Sequence, residues 1–375
     1  MASFDEWRRR LARAMEQRGD WPARSPWVRQ AVDAVARDRF APERVWWWDG
    51  HSYIPVDRAA DPDRWAVEVY GDPDAAAVTQ VTDGLPSSSL SCEAVVVDML
   101  DSLLLEPGHR VLELGTGTGR NAALLGWRAG AGRVTSVEVD PELADRARGR
   151  LREAGVDVRV EVADGRDVPP GAVPYDRVMA TFAVDEVPWS WVARTRPGGR
   201  IVTPWGRLGH VALTVAGDGR SATGWMQGLA QFMPARGTGH GRGSFQQVRA
   251  AAAGAAGGER PVRRRLEPLR DDVHLRFALR VALPDVQIST AADGDGLNAW
   301  LHDGSSWAAL SAVGGGDTVA YQGGPRRLAD ELDGAWDRWL GDGSPALYDY
   351  GMTVEPHRQY VWCADPVTGP RWPVR

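Results

Sequence analysis

The sequence predicts an α/β fold with a doubly wound parallel sheet, preceded by a helical cap and followed by an α+β C-terminal domain. Between residues 94 and 204, short apolar strands alternate with amphipathic helices, a pattern typical of βαβ units. Helical periodicity dominates the beginning of the chain, and strand-like alternation dominates its end. We expect a cap over 1–90, a core over 91–215, a linker or mobile segment over 216–262 and a C-terminal domain over 263–375.

Local patterns predict the individual elements. Apolar residues recur at helical spacing over 4–18 and 27–38, which indicates two short helices. The segment 43–90 is rich in Trp, Asp and Pro and is typical of loops with short strands. Glycines concentrate in 216–262, which favours a linker. The remaining part has strand-like alternation, one amphipathic helix (PRRLADELDGAWDRWL) and a terminal hairpin pattern (YDYGMTVEPHRQYVWCADP).

The composition excludes several kinds of chemistry. The chain has 375 residues, with 44 basic and 50 acidic residues and a net charge of -6, and every basic residue is arginine. Without lysine, the chain cannot form a pyridoxal Schiff base or supply the lysine of a P-loop. A negative net charge gives no general attraction to nucleic acid or to anionic membranes. We therefore expect a small or peptidic ligand, and neither a nucleic-acid nor a membrane partner.

Cysteine and histidine usage argues against a metal or disulfide scaffold. Cys92 and Cys363 are too few for a disulfide framework or a four-ligand zinc site, and the seven histidines have no metal-ligand spacing. The N-terminus is charged and lacks the apolar segment of a signal peptide, and no long apolar run follows. We expect a cytoplasmic protein without a metal.

The most informative pattern is a strand that runs into closely spaced glycines. The strand ends at Leu114, and Gly115, Gly117 and Gly119 follow at alternate positions before a helix. A dinucleotide-binding loop has the spacing GxGxxG and directs its helix at a diphosphate. The GxGxG spacing here indicates close approach of the backbone to a small ligand that is uncharged or cationic.

Acidic residues occur where a ligand would face the sheet. Glu138 ends the second strand, about 20 residues after the loop, where a carboxylate can accept both hydroxyls of a ribose. Asp164 and Gly165 follow the third strand, and Glu113 lies in the first. The alternative for each residue alone is a turn or a cap. Together, acids without a phosphate-binding cation suit a ribose, an adenine amino group and a positive centre, which S-adenosylmethionine combines.

These segments resemble the class I methyltransferases, and among them the protein-L-isoaspartate O-methyltransferases, over roughly residues 25–207. The runs that carry the resemblance are VLELGTGTGRNAALL, VTSVEVDPELADRAR, VADGRD and RPGGRIVTPWG. The resemblance implies a Rossmann-like core, carboxyl O-methylation and S-adenosyl-L-methionine as cofactor. By position, the cofactor-binding residues would be Glu113, Gly115, Thr116, Gly117, Gly119, Glu138, Asp164 and Gly165.

A family-specific segment precedes the glycine loop. The family has a Ser-Gln-Pro run at the head of a helix that ends in methionine, and this chain keeps the serine and the spacing, from Ser91 to Met99. The resemblance places Ser91 beside the substrate carboxylate, with Ser89 as the second candidate. Alternatively, Ser91 is only a helix N-cap. Glu93 replaces the proline, and its charge would disfavour a substrate carboxylate unless an arginine compensates.

Other segments look more like the O-methyltransferases found with ribosomally made peptides, the graspetides and lanthipeptides. They include the run Trp46–Trp48 and a long C-terminal extension with a YGMTV hairpin. That resemblance implies methylation of an Asp side chain in a modified precursor peptide, leading to aspartimide or isoaspartate, beside a peptide-modifying synthetase. The extension is our main reason for preferring peptide tailoring over general isoaspartyl repair. A third alternative is an inactive subunit that binds the cofactor and recognises the peptide.

The tryptophans and a run of arginines are candidates for peptide recognition. The chain has 18 Trp, and the Trp-rich segments could form an aromatic groove for a peptide. Arg263, Arg264 and Arg265 could then bind its acidic residues. For most single tryptophans the alternative is packing in the core or in a hairpin, and for the arginines it is a solvated face.

Overall fold

The computed structural model describes residues 3–167, 173–206, 208–237, 243–252, 256–313 and 317–374. The chain forms two compact units, which consist of Met1–Ala235 with Met352–Arg358 and of Arg236–Gly351 with Gln359–Arg375. The predicted boundaries at 215 and 263 do not match this division. The first unit reaches Ala235 because another strand of its sheet, Ala222–Leu229, follows residue 215.

The N-terminal part contains the two predicted helices and a small sheet. Helices α1 and α2 span Phe4–Arg18 and Trp27–Ala34, and a 3-10 turn follows at Arg37–Arg39. A four-stranded antiparallel sheet of order β2-β1-β3-β4 and a helix α3 occupy the next region. Their bounds are β1 Arg44–Trp48, β2 Tyr53–Asp57, α3 Pro62–Tyr70, β3 Ala77–Thr82 and β4 Leu85–Leu90.

The description of 43–90 as loops with short strands is wrong for α3. Asp61 caps this helix by accepting the backbone N–H of Arg64, and Pro62 occupies its first turn. Trp65 and Tyr70 lie on its buried face. The proline and the acidic residues that suggested a loop are therefore helix-start signals.

The core confirms the predicted doubly wound sheet. Its strands have the order β11-β10-β9-β8-β5-β6-β7, with parallel pairing from β9 to β7 and antiparallel pairing among β9, β10 and β11. The bounds are α4 Glu93–Leu103, β5 Val111–Leu114, α5 Arg120–Ala129, β6 Val134–Glu138, α6 Pro141–Glu153, β7 Val158–Val162, β8 Tyr175–Ala180, α7 Trp189–Arg194, β9 Thr195–Trp205, β10 Gly209–Val215 and β11 Ala222–Leu229.

This topology positions the site. The chain runs from β5 through β6 to β7 on one side and then crosses back to β8 on the other side of β5, so a crevice opens at the carboxyl ends of β5 and its neighbours. All four residues of β5 are buried. The glycine loop, Glu138, Asp164 and the residues after β8 all follow strand ends at this edge.

The second unit contains a five-stranded antiparallel sheet of order β12-β16-β15-β14-β13. Its elements are α8 Phe245–Ala251, β12 Ala256–Val262, α9 Glu267–Asp271, α10 Val273–Ala282, β13 Gln287–Ala292, β14 Leu297–His302, β15 Trp307–Ala312, β16 Thr318–Gly323 and α11 Leu328–Gly341. Three strands follow where the terminal hairpin was predicted, namely β17 Tyr350–Glu355, β18 Arg358–Cys363 and β19 Arg371–Pro373. Most of β17 belongs to the first unit, and β17 extends the core sheet beside β11.

The linker predicted over 216–262 is wrong, because this segment contains β11, α8 and β12. Its glycines include Gly224, which lies within β11 where a Cβ would collide with the backbone of Ala212. Gly224 allows close strand packing, which composition alone does not distinguish from flexibility. Within the described part of the chain, no helix has the length and apolarity needed to span a membrane.

Candidate active site

The glycine loop has the backbone that its sequence predicts. Gly115, Gly117 and Gly119 all have positive φ, at 96°, 54° and 90°. A Cβ on Gly115 would lie 2.5 Å from Oγ1 of Thr181, so a side chain there would be excluded by space as well as by φ. The loop therefore exposes backbone to the crevice and leads directly into α5, whose N-cap is Gly119.

Glu138 lies at the end of β6 and contacts the glycine loop. One carboxylate oxygen accepts the backbone N–H of Gly117 at 2.8 Å, and the other accepts that of Asp140 at 3.1 Å. The side chain is largely buried, at 6% exposure. This position, beside the loop and at the crevice, is the one expected of the acid that binds a ribose.

Glu113 and Thr116 lie beneath the loop. Oε1 of Glu113 accepts a hydrogen bond from Asn121 at 2.8 Å, and Oε2 accepts one from the hydroxyl of Ser136. The Thr116 hydroxyl lies 2.5 Å from that of Ser136, which links the loop to Glu113. Complete burial raises the pKa of Glu113 to about 7. We therefore expect Glu113 and Thr116 to contribute to cofactor binding by supporting the glycine loop.

Asp164 is paired with a residue that the sequence reading did not single out. Its carboxylate accepts hydrogen bonds from the guanidinium of Arg166, the shortest at 2.7 Å, and from the Arg166 backbone N–H at 2.9 Å. These bonds lower the pKa of Asp164. The indole of Trp191 donates to the carbonyl of Gly165 at 2.7 Å, which fixes the turn after β7.

Phe182 is a further site residue that sequence reasoning missed. Its ring lies 3.0 Å from the position of a Cβ on Gly115 and 3.4 Å from that on Gly165, between the two loops that face the crevice. The ring also packs edge-on against Trp191, with centroids 6.0 Å apart. The available signal was its place just after β8, where a parallel strand ends at the ligand edge.

The segment that carries Ser88, Ser89 and Ser91, here called the serine segment, lies against the glycine loop. Oγ of Ser88 and the carbonyl oxygen of Ser89 lie 3.8 and 4.0 Å from the position of a Cβ on Gly117. Ser88 is buried and was not among the predicted site residues, whereas Ser89 and Ser91 are half-buried. The N-cap of α4 is Cys92, so the alternative that Ser91 caps this helix is wrong.

Glu93 does not present an uncompensated charge to the crevice. Its carboxylate is buried at 1% exposure and pairs with Arg120 at 2.9 Å and with Arg37 at 3.4 Å. The compensating arginine that a substrate carboxylate would require is therefore present twice. This also removes the electrostatic reason for considering an inactive subunit.

The second unit has a groove with aromatic and amide side chains. Its volume is about 740 Å³, and its lining includes Phe245, Arg249, Gln287, Ser289, Trp300 and His302. Gln287 pairs with His302 and Ser289 with Trp300 across β13 and β14, so each pair lies on one face of the sheet. The guanidinium of Arg249 lies over the ring of Trp307, 5.1 Å from its centroid.

The predicted peptide-binding arginines are largely occupied. Arg264 pairs with Asp333 at 3.1 Å and also with Asp337, and Arg265 pairs with Glu267 at 3.0 Å. Seven of the 18 tryptophans are buried, among them Trp65, Trp191 and Trp362, and only three of the 18 are exposed. Structural packing is therefore the better description of these features than direct recognition of a peptide.

Comparison with known proteins decides the family. A model of the protein-L-isoaspartate(D-aspartate) O-methyltransferase family matches residues 15–220, more than half of the chain. The chain belongs to this family. A protein-L-isoaspartate O-methyltransferase of Archaeoglobus fulgidus is 31% identical over 239 residues, which cover 62% of this chain and 94% of the relative. The corresponding enzyme of Methanocella arvoryzae is 37% identical over 150 residues, which cover 40% and 80%.

Other matches are shorter or support the fold alone. The enzyme of Methanopyrus kandleri is 42% identical over 116 residues, and the chain thus spans only 50% of the length of that relative. A solved structure described as a protein-L-isoaspartate O-methyltransferase aligns over 96% of this chain and 100% of its own, with a TM-score of 0.50 and 18% identity. At this level of identity, the likeness shows the fold alone.

The family confirms three predictions, namely the class I methyltransferase fold, the class of S-adenosylmethionine-dependent carboxyl O-methyltransferases and the cofactor. The site residues fit that cofactor. Three glycines of positive φ leave the loop backbone open, and the carboxylates of Glu138 and Asp164 follow neighbouring strands. The comparisons favour the isoaspartyl alternative over methylation of a ribosomal peptide.

Proposed function

We propose that this chain methylates the carboxylate of an isoaspartyl residue in a peptide or protein, with S-adenosylmethionine as the methyl donor. The observation that carries the proposal is the contact of the serine segment with the glycine loop, where Ser88 lies 3.8 Å from the position of a Cβ on Gly117. In the family, this segment adjoins the substrate carboxylate and the loop adjoins the cofactor. A short separation between the two is what methyl transfer requires.

The chemistry demands little of the side chains. When bound, the cofactor supplies an electrophilic methyl group on a sulfonium and leaves as a neutral thioether. A carboxylate has an ordinary pKa of about 4 and is ionised at neutral pH, so it attacks without a general base. The residues of this chain then hold the cofactor, align the carboxylate and exclude water, effects for which effective molarities of about 10⁵ M are known.

A pair of peptides tests the proposal. The full-length protein is incubated with S-adenosylmethionine carrying a labelled methyl group and with an isoaspartyl peptide or its aspartyl isomer of the same sequence. We expect base-labile methyl ester on the isoaspartyl peptide at a rate at least about tenfold above that on the isomer. Equal labelling of both peptides, or labelling of neither, would contradict the proposal.

The second candidate function is methylation of an Asp side chain in a modified ribosomal peptide, beside a peptide-modifying synthetase. The groove of the second unit favours it, because aromatic and amide side chains with an exposed arginine suit an extended peptide. Co-expression with a precursor peptide and mass spectrometry test it, since a methyl ester or its dehydrated product is expected.

Either function agrees with a cytoplasmic location, which we also propose because both cysteines are unpaired.

A further inference from the structure

A buried cluster of three charged side chains lies between the two parts of the site. Arg37, Glu93 and Arg120 are 3%, 1% and 4% exposed. Glu93 bridges the two arginines through different carboxylate oxygens, Oε1 towards Arg120 and Oε2 towards Arg37. The three residues are far apart in sequence and come from the 3-10 turn, the start of α4 and the start of α5.

This charged cluster contacts both the serine segment and the glycine loop. Arg37 donates to the carbonyl of Ser91 at 2.7 Å and to that of Leu90 at 3.3 Å, so it holds the backbone that carries the candidate substrate serine. Arg120 directly follows Gly119, the last glycine of the loop. The cluster thus lies within a few residues of where carboxylate and methyl group would meet.

The cluster has one positive charge more than its carboxylate neutralises. Burial lowers the pKa of Arg37 to about 10, which leaves it protonated at neutral pH. The neighbouring acid Asp38 does not cancel this surplus, because it pairs with Arg8 at 2.6 Å. Nε of Arg120 is buried without a hydrogen-bond partner among the described residues. A buried charge of this kind is screened little by water or salt.

We infer that Arg37, Glu93 and Arg120 are positioning residues that select a carboxylate substrate, because Arg37 holds the Leu90–Ser91 backbone and the three side chains together place a net positive charge beside it. The inference rests on the proposed function, in which the acceptor is an anion near Ser91. A neutral analogue of the same shape receives no benefit from the surplus charge. Glu93 by itself would repel the substrate carboxylate. One arginine neutralises the charge of Glu93, and the second makes the net charge of the cluster positive.

The test measures selectivity for charge by calorimetry on the full-length protein with S-adenosylhomocysteine. The ligands are an isoaspartyl peptide and its neutral isoasparaginyl analogue, and selectivity is the ratio of their Kd values. Arg120→Gln removes the surplus charge, and we expect it to lower the selectivity about tenfold. The double variant Glu93→Gln with Arg120→Gln restores the surplus and should return the ratio to within about threefold of the wild type.

A merely structural role would weaken binding of both peptides equally and leave their ratio unchanged, which would overturn the inference, as would failure of the double variant to recover. If Arg120→Gln does not give a cooperative thermal melt, Glu93→Gln replaces it. That variant raises the surplus to two charges and should increase the selectivity, and an unchanged or lower ratio overturns the inference. Wild-type turnover is measured separately, so loss of the proposed function and loss of charge selectivity are distinguishable.

Discussion

At the scale of single residues, Glu138 should matter most for cofactor affinity, because it holds the N–H of Gly117 and faces the crevice. We expect Glu138→Ala to raise the Kd of S-adenosylmethionine by about tenfold to a hundredfold, since hydrogen bonds to charged groups contribute about 1.5–3 kcal/mol. Calorimetry measures this change. Glu142→Ala is the control, because Glu142 is exposed and pairs with Arg146 on the same helix. Equal Kd values for both variants would contradict the assignment.

Glu113 gives a prediction on pH. Burial raises its pKa in the folded protein to about 7 from an unfolded value of 4.5, so folding takes up a proton between these values. Its contribution to stability is fully present below about pH 4.5 and is lost as the pH rises towards about 7. The free energy of unfolding of Glu113→Gln, measured by denaturant unfolding, should therefore rise relative to that of the wild type as the pH increases. We expect this difference to change by about 3 kcal/mol from pH 4 to pH 8. A difference independent of pH would refute this.

At the scale of elements, the segment from β4 to α4 should control the acceptor and not the donor. Ser91→Ala should lower kcat/KM for an isoaspartyl peptide by about tenfold, because each lost hydrogen bond to a charged group is worth that much or more. Its Kd for S-adenosylmethionine should change less than about twofold. The control is Ser87→Ala, whose hydroxyl bonds to Thr82 within the β3–β4 hairpin at 2.8 Å. A larger loss of cofactor affinity than of turnover would exclude this role.

The groove between α8 and the β13–β14 pair permits a separate test of the second unit. Trp300→Ala should raise the KM for a peptide substrate about threefold to tenfold without changing kcat, because it removes an aromatic surface that does not touch the reacting atoms. Trp225→Ala on β11 is the control, since this tryptophan is exposed and lies in the first unit. Steady-state kinetics at saturating cofactor measure the effect, and equal KM values in the two variants would argue against a peptide groove.

The elements that could be predicted are those with regular periodicity. The strands β5 to β9 and their helices have it, as do α1 and α11. Helix α3 was missed because it begins with Asp61 and Pro62, and both residue types are also typical of loops. The contact between Arg37 and Glu93 at the site could not be predicted, for a different reason. Arg37 and Glu93 are 56 positions apart, and their contact depends on how the N-terminal turn packs against α4, which no local pattern encodes.

At the scale of the whole molecule, the methyltransferase core and the second unit contribute differently to the expected function. The core combines the glycine loop, the strand-end acids and the serine segment in one unit, and the family match covers the same region. The second unit has its own sheet, whose first strand, Ala256–Val262, lies in the predicted linker and whose other four strands lie in the predicted C-terminal domain. Cofactor chemistry therefore belongs to the first unit, and the second is where a preference among peptides would be sought.

The central claim is that an isoaspartyl carboxylate accepts the methyl group. Tandem mass spectrometry of an isoaspartyl peptide after incubation with the protein and S-adenosylmethionine bearing a deuterated methyl group tests it most directly. We predict one labelled methyl group, located on the α-carboxylate of the isoaspartyl residue, with at least about tenfold less label on the aspartyl isomer. A label on a nitrogen, or equal labelling of the aspartyl isomer, would contradict the claim.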